Sequence, residues 1–340
     1  MKALAERPLF VGGIGLALLA ACVFASLASG VIHVGVADVL RALGGRLGDG
    51  QADALVRTLV LDMRLSRGLA AAGVGAGLGT AGCLLQSLLR DPLASPSMIG
   101  TAQASGFGRV LGVYLGFSFA GSVVLAFVFA ALGTLLVLWV SRARRGFASQ
   151  LVLLTGINVG LFFMALIGLV QYASRDEGQL SRMVLFLLGG LWQARWETLR
   201  VVLPLTLLAI ACALGAARAL DLFSLGESNA DRLGLGTRRA GPAILVLACL
   251  LTSLAVSIAG VVAFVGLIVP HAARRIVGPA HAVLLPASAA LGGVLLVAMD
   301  CVARTAVAPN ELPLGVLTSI VGVPLFLALL RELARRGEAR

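Results

Sequence analysis

The sequence predicts an all-α, polytopic membrane protein with about ten transmembrane helices, forming a single transmembrane domain over residues 1–340. Three observations carry this. Hydrophobic residues make up 59% of the 340 and charged residues 13%, with a mean hydropathy of +1.00, too few charges to clothe a globular surface. Apolar runs repeatedly reach the roughly 20 residues that a helix needs to cross about 30 Å of hydrocarbon. The alternating pattern of a membrane barrel is absent, which leaves helices as the spanning element.

The runs fall at residues 9–30, 67–89, 95–115, 118–140, 151–172, 196–217, 242–260, 262–277, 283–303 and 314–331. An even number puts both termini on one side. Taking that side as cytoplasmic places more of the 27 Lys and Arg inside than outside, among them Arg144, Arg145, Arg238, Arg239, Arg274 and Arg275. The net charge of +11 does not point to nucleic acid, because the basic residues flank apolar runs and aromatics are only 6%. The five cysteines sit in apolar runs without CxxC spacing and read as small buried hydrophobes. The first run, Leu9–Gly30, is too long for a signal-peptide core and reads as a retained span.

Taken in order, the second run carries Gly73, Gly75, Gly77, Gly79 and Gly82. The last three form a GxGxxG string, but no strand precedes it, so it reads as a glycine face for close helix approach. Pro92 and Pro96 then prevent a straight continuation. Ser141–Gln150 is a tight basic turn. Between residues 174 and 195 lie a polar turn, an apolar piece Met183–Leu191 too short to cross, and Trp192 beside Trp196, which suit an interfacial belt. The glycines and proline of Ile258–Pro270 predict a broken helix packed in protein or lining a cavity. Asp300 and Arg304, four apart, predict a helical ion pair. His271 and His281 lack further ligands at metal-binding spacing and read as structural.

One stretch does not belong to the bilayer. Asp221–Arg239 is a polar, charge-mixed insert between the apolar runs Trp196–Ala217 and Pro242–Ala263. Membrane spans need only short turns on the inner side. A long, helix-compatible insert closed by glycines therefore predicts a docking surface, a coupling segment over about 218–240 that a soluble motor protein grips.

Several stretches then resemble one family. They are Arg64-Leu-Ser-Arg67, the run from Gln86 through Arg90-Asp91 to Pro96, Leu225-Gly-Glu227 with Leu233-Gly234, the block from Gly260 to Pro270-His271, and Glu311-Leu-Pro-Leu-Gly-Val316. Together they are similar to the permeases of bacterial type II ABC importers for iron chelates, haem and cobalamin, in order over residues 9–331. The resemblance implies a homodimer in the bacterial inner membrane with both termini cytoplasmic. It also implies two cytoplasmic ABC ATPase subunits and a periplasmic or lipid-anchored substrate-binding protein. The chain has no Walker A lysine motif of its own, so ATP and Mg belong to the partner ATPase, and no catalytic residue, metal or cofactor is assigned to this chain.

By the same resemblance, Leu225, Gly226, Glu227, Ala230, Leu233 and Gly234 form the ATPase-coupling helices. Arg64, Arg67 and Arg304 become exposed arginines that meet acidic residues of the binding protein. Ser149 and Gln150 fall at the cytoplasmic gate, where Gln150 is bulkier than the small hydroxyl residues usual there. Arg109, inside the third run where relatives have small or apolar residues, is expected either to line the translocation path and attract an anionic chelate, or to hold a buried partner such as a backbone carbonyl. Asn158, mid-span, reads as pore lining or as helix glue. The implied cargo is a ferric siderophore before haem, with cobalamin or an oxyanion such as molybdate as alternatives. An ion-coupled secondary transporter would require mid-span carboxylates, and an intramembrane enzyme a nucleophile–base or metal constellation; the runs hold neither.

Overall fold

The computed structural model describes residues 2–30, 32, 34–45, 51–141, 149–174 and 176–337. Among them every regular element is helical: α1 (Lys2–Ala28), α2 (Val36–Leu43), α3 (Gln51–Arg57), a π-helical stretch Thr58–Leu65, α4 (Ser66–Leu89), a 3₁₀ turn Pro96–Ile99, α5 (Thr101–Tyr114), α6 (Phe119–Ser141), α7 (Ser149–Ala173) and α8 (Glu177–Leu188). The chain continues through α9 (Trp196–Gly215), α10 (Ala217–Ser224), α11 (Glu227–Arg232), α12 (Thr237–Ala259), α13 (Val265–Val277), α14 (His281–Thr305) and α15 (Leu314–Gly337).

Each of the ten predicted spans corresponds to a helix, and among the described residues 7 helical segments are long and apolar enough to cross a bilayer. Of the other three, α5 and α13 are shorter than predicted. Helix α5 starts only at Thr101, because Ser95 and Pro96 open the 3₁₀ turn instead of a straight helix. Helix α13 has 13 residues, whereas α15 runs on from Leu314 to Gly337, past the predicted end of its span. Between the first two apolar runs the described residues are also largely helical; from Asp53 to Leu89 the chain forms a helical segment of 37 residues.

Helix α4 is the central element. It packs against α14, α12, α13 and α9, and nearly all of its residues from Gly68 onward are buried. Its glycines explain why. A Cβ on Gly75 would stand 2.1 Å from the Gly292 carbonyl oxygen, one on Gly79 2.4 Å from that of Ser288, and one on Gly82 1.8 Å from that of Gly266. The glycine face lets backbones approach where any side chain would collide. The lipid-compatible surface lies elsewhere, on helices such as α1, α6 and α7, with Leu9, Trp139 and Tyr172 largely exposed.

The predicted break near Gly260 is real. Gly260 and Phe264 adopt positive φ (66° each) and residues 260–263 are non-helical. The neighbouring chain ends satisfy one another: the Gly190 amide donates to the Ala259 carbonyl (2.8 Å) and the Leu314 amide to that of Gly189 (2.8 Å). A buried core meets its hydrogen-bond demand here without continuous helix. The apolar piece before Leu191 is α8, whose N-cap Asp176 accepts from the Gly178 amide at 2.9 Å.

Candidate functional site

The insert folds as two short helices. Helix α10 is amphipathic: Ala217, Leu220 and Phe223 are buried in the core cluster that also holds Leu84, Leu85, Leu88, Leu284 and Leu285. Gly226 then turns the chain at φ 102°, a conformation only glycine adopts without strain, and a Cβ there would also approach the Arg90 guanidinium at 3.3 Å. Helix α11 follows, anchored by the fully buried Ala230, and Gly234 ends it at φ 89°. Asp231 accepts from the Thr237 amide (2.9 Å) and hydroxyl (2.7 Å), which caps α12 from outside. These bonds from Thr237, backbone first and hydroxyl second, hold the Asp231 carboxyl below its ordinary value.

Helix α11 itself exposes polar residues, Ser228, Asn229, Asp231 and Arg232, with an apolar side chain at either end. Leu225 and Leu233 flank it and are 57% and 61% exposed, while Ala230 between them faces inward. Two leucines held out on a rigid turn of polar sequence form the anchors that a cleft in a partner can bury. The six residues expected to couple thus lie together at one end of the bundle, Gly226 and Ala230 buried and the two leucines exposed.

The opposite end carries the three arginines read as docking residues, and here the expectation of exposure is corrected. Arg64 is buried; its guanidinium donates to the Leu27 carbonyl at 2.6 Å and to the Ile32 carbonyl. Arg67 donates from Nε to Asp300 (2.9 Å) and from Nη1 to Glu311 (2.8 Å). Arg304, also buried, pairs from Nε with Asp300 Oδ2 at 3.1 Å, the predicted helical pair. The sequence reading missed Asp300 as the shared partner of two arginines and Glu311 as the more exposed acid of the set. Their spacing in the chain, 233 and 244 residues from Arg67, gave no local signal.

Arg109 is 4% exposed and lies five residues before the end of α5, at the end of the bundle away from the insert. Nη1 donates to the Phe119 carbonyl at 2.9 Å and Nη2 to Gln193 Oε1 at 3.3 Å, and the guanidinium sits 3.9 Å from the Phe119 ring centroid. The carbonyl partner anticipated from sequence is therefore present. Arg109 also lines a cavity of about 450 Å³ with Arg182, Phe186, Trp192, Gln193 and Arg195. Asn158 donates to the Leu154 carbonyl of its own helix (2.8 Å) on an exposed face of α7. Gln150 is exposed at the start of α7; the Ser149 side chain and residues 142–148 lie outside the described residues.

A family comparison matches residues 18–332 to the FecCD transport family. The chain belongs to that family. Among curated FecCD-type relatives it is 38% identical over 286 residues to the hemin transport system permease protein HmuU of Yersinia pestis, covering 82% of this chain and 84% of the relative. It is 31% identical over 341 residues to the iron(3+)-hydroxamate import system permease protein FhuG of Bacillus subtilis, covering 98% and 99%. With the Fe(3+) dicitrate transport system permease protein FecD of Escherichia coli it shares 36% over 314 residues, covering 92% and 95%. A solved metal-chelate type ABC transporter in an inward-facing conformation superposes with a TM-score of 0.84 at 31% identity, over 96% of this chain and 99% of that one. The FecCD chain is thus a membrane permease of a type II ABC importer, and ATP hydrolysis belongs to separate subunits.

Proposed function

We propose that the chain is the permease of an importer that carries an iron chelate, ferric siderophore before haem, across the bacterial inner membrane by alternating access. Relatives named for haemin, ferric hydroxamate and ferric dicitrate, aligned over most of the chain, support an iron cargo. Relatives named for cobalamin and molybdate keep those two as the alternatives. In this reading the permease is a homodimer with both termini cytoplasmic. Two ABC ATPases, which hold ATP and Mg, clasp the insert from the cytoplasm, and a binding protein docks on the other face.

The single observation that carries the mechanism is the projection with Leu225 and Leu233 held out on either side of α11. An ATPase cleft that buries both leucines converts domain closure into movement of α10 and α12. Docking of the binding protein then falls to Arg67 first, since its partner Glu311 is half-exposed and a carboxylate from the binding protein can replace it. Arg64 and Arg304 hold the surrounding backbone in shape for that exchange. Ser149 and Gln150 form the cytoplasmic gate at the start of α7. Asn158 faces the path from the exposed side of the same helix, and Arg109 lines its outer entrance, where its charge favours an anionic chelate.

Binding-protein-dependent ATPase stimulation in reconstituted membranes tests the cargo. Ferric siderophores should stimulate most and haem less, with cobalamin and molybdate near background. Stimulation by cobalamin or molybdate alone overturns the iron assignment.

A further inference from the structure

Three residues distant in sequence meet where the insert joins the bundle. Asp221 of α10 lies 2.6 Å from His281 Nδ1, and His281 Nε2 lies 2.5 Å from the Ser87 hydroxyl of α4. The same Asp221 oxygen accepts the backbone amide of His281 at 3.1 Å. A carboxylate only accepts, so Nδ1 carries the proton, and the Nε2 of a neutral imidazole accepts the Ser87 hydroxyl. His281 is the first residue of α14, whose own N-cap, Ala280, has no capping side chain. Asp221 therefore supplies from the insert both the cap and the negative charge that the N-terminus of this 25-residue helix favours. The order of contacts is that of a hydrolase triad, but Ser87 is buried in the last turn of α4, packed inside the bundle.

Helices α4 and α14 are then joined at three levels. Ser87 bonds His281 at the insert end. Gly75 and Gly79 meet Gly292 and Ser288 backbone to backbone in the middle, and Arg67 bonds Asp300 at the far end. We infer that Asp221, His281 and Ser87 form the tie through which movement of the insert enters the α4–α14 pair, and that this pair carries it as one rigid strut to the opposite face. The three are positioning residues: they touch neither nucleotide nor cargo. The inference rests on the insert being the ATPase dock. It adds what links that dock to the rest of the molecule. Leu220 and Phe223 pack α10 against the same two helices, and the tie adds to that packing charge-assisted hydrogen bonds of fixed partner and geometry.

The test compares Asp221→Ala, Asp221→Asn and Ser87→Ala in the complete importer in nanodiscs. Cargo moved per ATP hydrolysed should fall about tenfold in Asp221→Ala, the equivalent of one charge-assisted hydrogen bond, and less in Asp221→Asn, which keeps an acceptor. An unchanged ratio overturns the tie. Hydrogen exchange of the isolated permease in nanodiscs gives a readout that needs no transport. Asp221→Ala should speed amide exchange about tenfold in the first turn of α14 and in the last turn of α4 together. Faster exchange confined to α10 overturns the strut. Should the wild-type importer show no cargo-driven hydrolysis, the importer reading itself fails, while the exchange result still decides the tie. If Asp221→Ala does not accumulate, Ser87→Ala, which removes a single hydroxyl, answers both measurements.

Discussion

Asp231 shows how a single carboxylate sets the shape of the insert. Because its value lies below the ordinary 3.8, its cap on α12 is fully present above the unfolded-state value and disappears as pH falls through the folded-state value. Amide exchange at Thr237 should therefore stay slow at neutral pH and quicken under strong acid, whereas Asp231→Asn should remove most of that pH dependence. Arg109 is a second single-residue case. Its carbonyl and Gln193 bonds are structural, and the cavity beside it is the place where a charge can act on cargo. Arg109→Gln should lower uptake of anionic chelates about tenfold at unchanged protein level, the loss of one charge-assisted contact. Uptake equal to wild type, measured with radiolabelled iron, removes Arg109 from the path. Residue identity alone left this choice open, because a buried guanidinium satisfies either role until its neighbours are known.

At the scale of elements, the close approach along α4 is the most exacting demand in the fold. Gly82→Ala places a methyl 1.8 Å from the Gly266 carbonyl oxygen, so α4 and α13 must separate. A loss of about 1–3 kcal/mol is expected, read as a lower thermal midpoint in detergent. A midpoint equal to wild type would show that the two helices are not held this close. The glycine face, the helical break at Gly260 and the insert were all legible in sequence, since each follows from local residue types. Their partners were not. Gly292 opposite Gly75 and His281 opposite Asp221 come from elements far along the chain, and nothing in spacing reveals them. The short helices α5 and α13 were drawn too long because hydropathy does not register where Ser95–Pro96 or Phe264 redirects the backbone. Of the arginines expected to dock a partner, Arg304 is legible beside Asp300, but the burial of the set is not, because the shared carboxylate and the carbonyls that engage them are tertiary features.

At the scale of the whole molecule, an apolar bundle with a glycine-lined central helix carries one projecting polar insert, and its FecCD relatives span nearly its full length. In the proposed function the bundle supplies the path and the insert supplies the grip, so energy input reaches cargo movement through α10, α11 and α12. The most direct measurement is ATP-driven uptake in proteoliposomes with the Leu225→Asp/Leu233→Asp double variant. Each leucine buried in an ATPase cleft contributes about 1.5–3 kcal/mol, so the double variant should insert normally yet fail to retain the ATPase and lose uptake. Wild-type uptake by that variant, or uphill accumulation by the permease with no ATPase present, would contradict the insert as the lever of transport.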